Sequence, residues 1–276
     1  MKFSHYELYD LINRPGPLWL ANADLSGANL RGLNLRGVVL SGANLTRAVL
    51  SSAQLIESDL SDANLSEATL TEINLSKSNM MRGDFTGASL EGANLSDTNL
   101  GGAKLGQANL SDANLRDANL RGAKLIRTNF SRANLQRANL GGSDMSDARL
   151  VEVNLSEARL IKVILTGANL NKSNLQDADL SKSIMTGADL NKCILIRVDL
   201  SETKLSKADL NNANLSNADL SNADLRGAFL YSSNLSNANL SGANLSDADL
   251  GKATYTAETI WPEGFNPVEA EAILVS

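Results

Sequence analysis

The chain has 276 residues, of which 43% are hydrophobic but only 4% aromatic, so a core of packed rings is excluded. Its formal net charge is −6, from 25 basic and 31 acidic residues, which argues against non-specific binding to nucleic acid or to an anionic membrane. A single cysteine, Cys193, excludes an internal disulfide and a CxxC metal site.

Residues 1–20 begin the chain with a helical signal. Ser4 and Glu7 have the spacing of a capping box. His5, Leu8, Tyr9 and Ile12 follow on one helical face, and Pro15, Gly16 and Pro17 end it. The segment lacks the basic start, long apolar run and cleavage site of a secretory signal, and no stretch of the chain reaches the ~18 apolar residues of a membrane span. The expectation is a cytoplasmic protein with no membrane span.

From Leu25 to Leu250 every fifth residue is apolar: 46 positions, 41 of them Leu, the rest Met80, Phe85, Phe130, Met145 and Met185. No insertion breaks the register, so residues 21–250 are one array of pentapeptides. A helix cannot use this period. Five residues advance about 140° net around it, which scatters the leucines over the whole cylinder. A straight strand fails as well, because residues five apart point to opposite faces.

With the leucine position called i, position i−2 is mostly Ala, Ser, Thr or another small residue, as in SDANLRDANL at 111–120. Positions i−2 and i share a face in extended backbone. Each repeat therefore predicts a short inward-facing strand followed by a corner at i+1 and i+2. Position i+2 is Gly at 13 sites, as a corner favours. Position i−1 is mainly Asn or Asp, which bond nearby backbone and form ladders when stacked. Such units close into coils that pair backbone with the coils above and below, about 4.8 Å away. The number of sides is left open by the pattern.

The A(N/D)LxX pattern, seen in ANADLSGANL (21–30) and SNADLSNADL (216–225), resembles the pentapeptide-repeat family over about five-sixths of the chain. The resemblance implies an all-β fold, a right-handed quadrilateral β-helix with four pentapeptides per coil. The 46 repeats would then give about 11.5 coils and, at ~4.8 Å each, a rod of roughly 55 Å. Residues 1–20 become an N-terminal α-helical cap over the first coil. Residues 251–276 leave the pattern and form a C-terminal cap. Within it TIWPEGFNP is an irregular apolar turn, VEAEAILV adds a short helix, and Trp261, Phe265, Ile273 and Leu274 seal the last coil. Some family members dimerise through this end, so the chain is expected as a monomer or a C-terminal-end homodimer.

Catalytic groups are scarce. His5 is the one histidine and lies outside the array; Cys193 occupies an inward i−2 position. No Ser/His/Asp set and no phosphate-binding glycine loop is present, and Asp and Asn interchange freely at i−1, as a turn role predicts and a ligand role does not. The reading is a non-enzymatic protein with no cofactor and no metal, whose function lies on its outward columns. Residues 20 apart stack in a four-sided coil. One i−1 column then places Ile164 on Ile184, with Ile161 beside Ile164 and Lys162 and Lys182 at the adjoining corner. This is a candidate contact patch for a protein partner. Phe229 and Tyr231 form a second, aromatic candidate. A basic belt, Arg116, Arg121, Lys124, Arg127, Arg132 and Arg137, has Asp117 as its one opposing charge and reads as solvated surface.

Two functions follow from the resemblance. The first is a rigid scaffold for protein–protein interaction. The alternative is a DNA mimic that inhibits or protects a type II topoisomerase. Mimicry needs an acidic surface in place of phosphates. The array holds 22 basic and 25 acidic residues, obtained by removing 2 and 2 in residues 1–20 and 1 and 4 in residues 251–276. A net of −3 over the array is a poor imitation of a duplex.

Overall fold

The structure is a computed structural model, and it describes residues 18–275. The proposed N-terminal helix and His5 lie outside the described residues. The chain divides into two compact units, the first ending at Asn134 and the second starting at Leu135.

Both units are built from the same turn-and-bridge unit of five residues. In the first, parallel bridges join residues 20 apart: Asp24↔Asn44↔Asn64↔Asp84↔Lys104↔Lys124 is one column, and three more run beside it. In the second, the columns start at Asn139, Asp144, Arg149 and Asn154. A repeat of 20 residues fixes four pentapeptides per coil, the point that the sequence pattern leaves open. Trp19↔Val39 extends the ladder to Leu18–Leu20, just ahead of residue 21.

Each pentapeptide makes three backbone bonds to its neighbours. Leu25 N–H donates to Asn44 O at 2.7 Å, Asn44 N–H to Ala23 O at 2.9 Å, and Gly27 N–H to Thr46 O at 2.9 Å. A fourth bond closes the corner, as in Ala28 N–H to Leu25 O at 3.0 Å. The residue at i+2 has positive φ throughout, from Asn22 (58°) to Lys252 (58°). Positive φ at the third residue of the turn defines type II. Only 13 of these corners are Gly; the remainder carry Asp, Glu, Lys, Arg, Asn, Gln or Ser in the left-handed region. That conformation costs a non-glycine residue roughly 1 kcal/mol. It persists because the same residue's N–H is held by the next coil, as Glu67 N–H is by Thr86 O at 3.0 Å.

Inside, the i and i−2 residues are sealed from solvent from Leu40 and Ala43 to Leu235 and Ala238, these four being 0% exposed. Many inward hydroxyls are satisfied by leucine carbonyls, as Ser78 Oγ donates to Leu55 O at 2.6 Å and Thr128 Oγ1 to Leu105 O at 2.8 Å, whereas those of Ser143, Ser183 and Ser233 are buried without a partner. Outside, the Asn/Asp column does both things expected of it. Asn64 Oδ1 accepts the Ser66 N–H at 3.0 Å, and Asn94 Nδ2 donates to Asn74 Oδ1 of the preceding coil at 3.2 Å.

The C-terminal segment departs from expectation. There is no helix among the described residues; 267–271 is turn, and the chain then forms a two-stranded parallel pair, β1 (Thr254–Tyr255) with β2 (Ile273–Leu274). The run VEAEAILV follows Pro267 and is too short to hold a helix against the pull of an open strand edge. Ile273 N–H donates to Ala253 O at 2.7 Å and Val275 N–H to Tyr255 O at 2.8 Å, so the segment adds a strand instead. Trp261 stacks on Phe265 at 5.2 Å and meets Tyr255 edge-on at 5.3 Å, which covers part of the last coil. Ile273 and Leu274 do not seal it, since Leu274 is 60% exposed.

Candidate functional site

The second unit places the predicted patch on one outward column. Ile164 bridges Ile184 directly, between Asp144 on one side and Lys204 on the other. Local sequence explains the exposure. Val163 and Leu165 flank Ile164 and are both 0% exposed, so alternation along the strand turns Ile164 outward. Ile164 and Ile184 are half-buried by each other and by the neighbouring corners. Ile161 lies in the preceding corner, its carbonyl accepting Gly142 N–H at 3.0 Å, and is 37% exposed. On the far side the corners are Thr166–Gly167 and Thr186–Gly187, which leave the isoleucines without a tall rim.

The two predicted lysines differ. Lys182 pairs with Glu202 at 3.5 Å. Lys162 lies between Gly142 and Lys182 in its corner column and is exposed. With Lys204 above Ile184, the apolar patch has a basic margin.

Phe229 and Tyr231 are far along the same unit, on another column: Asp209↔Phe229↔Asp249. Phe229 is 48% exposed. Tyr231 is occupied by Lys252, whose Nζ lies 5.2 Å from the ring centroid, and the Tyr231 N–H donates to Asn211 Oδ1 at 2.8 Å. The structure therefore does not bring the aromatic pair together with the isoleucine patch.

Sequence reasoning passed over two features. Ile194 interrupts an Asn column between Asn174 and Asn214, and Ile126 lies in a corner; both are exposed. The departure from Asn or Asp at i−1 is the signal that marks Ile194. The second feature is an ion-pair ladder along the i+2 corners. Arg47 pairs with Glu67 at 2.7 Å, Arg82 with Asp62 at 2.7 Å, Arg132 with Asp112 at 2.6 Å, and Arg197 with Asp177 at 2.7 Å, each one coil apart. The Arg82 hydrogen bond holds the Asp62 carboxyl below its usual range, and Arg132 and Arg197 do the same for Asp112 and Asp177. The basic belt is thus opposed by Asp112 as well as by Asp117, which Arg116 meets at 3.3 Å.

Cys193 points inward, with Sγ bonding Leu170 O at 2.9 Å. Burial pushes its thiol up to about 12, outside the range of a nucleophile. Among the described residues no group of three or more His, Cys, Asp or Glu is placed to hold a metal ion. No helix among them is long and apolar enough to cross a membrane.

Comparison with known proteins settles the family. The model described as pentapeptide repeats matches in eight copies, at residues 23–62, 58–97, 93–132, 128–171, 165–196, 173–212, 193–230 and 213–251. The chain belongs to the pentapeptide-repeat family. Its fold class is accordingly the right-handed β-helical solenoid, with four repeats per coil seen directly in the bridges. Among solved structures, this pentapeptide-repeat chain is similar to HetL, a pentapeptide repeat protein involved in heterocyst differentiation regulation in the cyanobacterium Nostoc sp. strain PCC 7120. The two are 32% identical over 86% of this chain and 92% of HetL, with a TM-score of 0.36. Rfr23 from the cyanobacterium Cyanothece 51142 is 40% identical over 34% of this chain and 63% of its own, with a TM-score of 0.34. QnrB1, a plasmid-mediated fluoroquinolone resistance protein, is 17% identical over 74% of this chain and 90% of its own, also with a TM-score of 0.34. None of the curated proteins matches this chain.

Proposed function

We propose that this pentapeptide-repeat chain is a non-catalytic scaffold that holds a protein partner on the patch of Ile161, Ile164 and Ile184. One observation carries the reading. Two directly bridged isoleucines interrupt an outward column that is otherwise polar or charged. They leave apolar surface on a rigid ladder where Asn or Asp would satisfy the local turn better. The margin of Lys162 and Lys204, with Lys182 already paired to Glu202, favours a partner whose contact segment mixes aliphatic and acidic side chains. In this reading the array 21–250 is the working part, residues 1–20 and 251–276 finish its ends, and the protein acts in the cytoplasm without a cofactor.

DNA mimicry is the weaker reading. It asks for carboxylates free to stand in for phosphates, whereas Asp62, Asp112 and Asp177 are each held by an arginine one coil away.

The test is a pull-down from a lysate of the source organism, comparing wild type with Ile164→Asp/Ile184→Asp and with Ile126→Asp as an outward control. A partner retained by wild type and by the control, and lost by the double variant, is the expected result. Equal recovery by all three would reject this face, and recovery of a type II topoisomerase would restore mimicry.

A further inference from the structure

The C-terminal end of the second unit carries a strand edge that the described chain leaves unpaired. Two of the four columns continue past the last full coil: Asn239 is followed by Ile260, and Thr254 by Ile273. The column of the isoleucine patch stops at Asn244. Asn244 N–H still donates down to Ala223 O at 2.9 Å. Upward, among the described residues, no backbone carbonyl accepts the N–H of Leu245 or Asp247, and no backbone N–H donates to Ala243 O. One coil below, the equivalent groups are all used. Leu225 N–H donates to Asn244 O and Gly227 N–H to Ser246 O, each at 2.9 Å.

A cleft of about 420 Å³ lies on this edge. Its floor is Ala243, Asn244, Leu245 and Ser246, and its wall is the turn from Pro262 to Phe265. In sequence the wall segment falls where the next coil's strand is due, but Pro262 and the Trp261–Phe265 stack turn it aside and it does not pair. Pro262 has no N–H to give. The Phe265 N–H is spent on Pro262 O at 3.1 Å, and its ring is held against Trp261. The floor is consequently less covered than elsewhere: Ala243 and Leu245 are each 7% exposed, against 1% and 0% for Ala223 and Leu225.

We propose that this cleft takes an extended segment of another protein, added as a parallel strand on Ala243–Asp247. The register below dictates its chemistry. The middle residue of the segment donates its N–H to Ala243 O and accepts the Leu245 N–H. The carbonyl after the third residue accepts the Asp247 N–H. The first residue sits over Ala243 and must be small; the third sits over Leu245 and is leucine-sized. Glu263 in the wall, from a tail with four acidic residues and one basic, and Asp247 at the adjoining corner of the array call for Lys or Arg after the leucine. The occupant is therefore a small–polar–leucine–basic segment. This site is separate from the isoleucine patch and does not depend on it.

The test uses a fluorescent peptide, Ser-Ala-Asn-Leu-Lys-Lys, titrated with the full chain and read by anisotropy. Saturable binding in the tens of micromolar is expected. Methylating the Asn amide nitrogen removes the bond to Ala243 O and should weaken binding about tenfold or more. Glu263→Lys should weaken it several-fold, while Ile164→Asp/Ile184→Asp leaves it unchanged. Absence of saturation up to about 1 mM, or equal binding of the methylated peptide, would overturn the proposal. A chain that self-associates in sedimentation, and loses that association on Glu263→Lys, would give the cleft to a second copy instead.

Discussion

Replacing Ile164 and Ile184 together by Asp should leave the fold standing, whereas the same change at Val163 should break it. The three positions are neighbours, so the contrast isolates side-chain direction. Ile164 and Ile184 lie outward and half-buried, and losing their cross-strand contact costs about 0.2–1 kcal/mol. Two carboxylates ~4.8 Å apart in water repel by roughly 1 kcal/mol. The fold already tolerates such a stack, since Asp179, Asp199 and Asp219 bridge in sequence in one column. There is also a return: Asp179 Oδ1 accepts the Ser181 N–H at 3.0 Å, and an aspartate at 164 or 184 can accept from Thr166 or Thr186 in the same way. The net loss is about 1–2 kcal/mol at most. Val163 is 0% exposed, and a carboxylate there finds no counter-charge, only the Ser143 and Ser183 hydroxyls one coil away, so several kcal/mol are lost. Urea unfolding followed by far-UV circular dichroism measures both. A loss above about 3 kcal/mol for the double variant, or a Val163→Asp protein as stable as wild type, would refute the inward and outward assignment.

Leu115, 0% exposed, sits in a column held at backbone spacing by hydrogen bonds on both sides, so the site cannot collapse; Leu115→Ala should cost about 3–5 kcal/mol in urea unfolding, and a cost below 1 kcal/mol would show a loose core. The carboxyls of Asp62, Asp112 and Asp177 have folded pKa values below the ordinary aspartate value of 3.8, so their contribution is complete above that value and is lost as pH falls through the lower folded one. Urea midpoints should therefore not fall between pH 7 and 5 on their account and should drop below about pH 3.8, with a smaller drop in Arg82→Gln; an Arg82→Gln protein that loses as much as wild type on acidification would remove these pairs from the explanation. Cys193, buried and pushed up to about 12, should resist a thiol reagent at pH 8 for hours and react at once in guanidinium chloride; fast labelling of the native protein would place it at the surface.

How far the sequence carries is clearest at the corners. The period of five identifies which residues face inward, and Leu40, Ala43 and Cys193 are all sealed as the pattern requires. The four-sided coil is not in that pattern, because any number of repeats per coil satisfies a five-residue period. It becomes visible only when Asp24 is seen to bridge Asn44. Glycine at i+2 marks the corner correctly but understates it, since charged residues such as Glu67 and Arg82 hold the same left-handed backbone once the next coil binds their N–H. The pairing of Arg82 with Asp62 needs that 20-residue register before it can be read. The isoleucine patch was legible because Ile164 and Ile184 break a column rule. The open edge at Asn244 was not, since it arises from Pro262 and the Trp261–Phe265 stack turning the chain aside.

The central claim is that the Ile164–Ile184 column is a contact face, and site-specific photo-cross-linking tests it most directly. A benzoyl-phenylalanine placed at Ile161, in living cells of the source organism, should yield one discrete adduct with a protein partner. The same probe at Ile126, exposed but in the other unit, should yield none. Adducts of equal pattern from both positions, or from neither, would contradict the account.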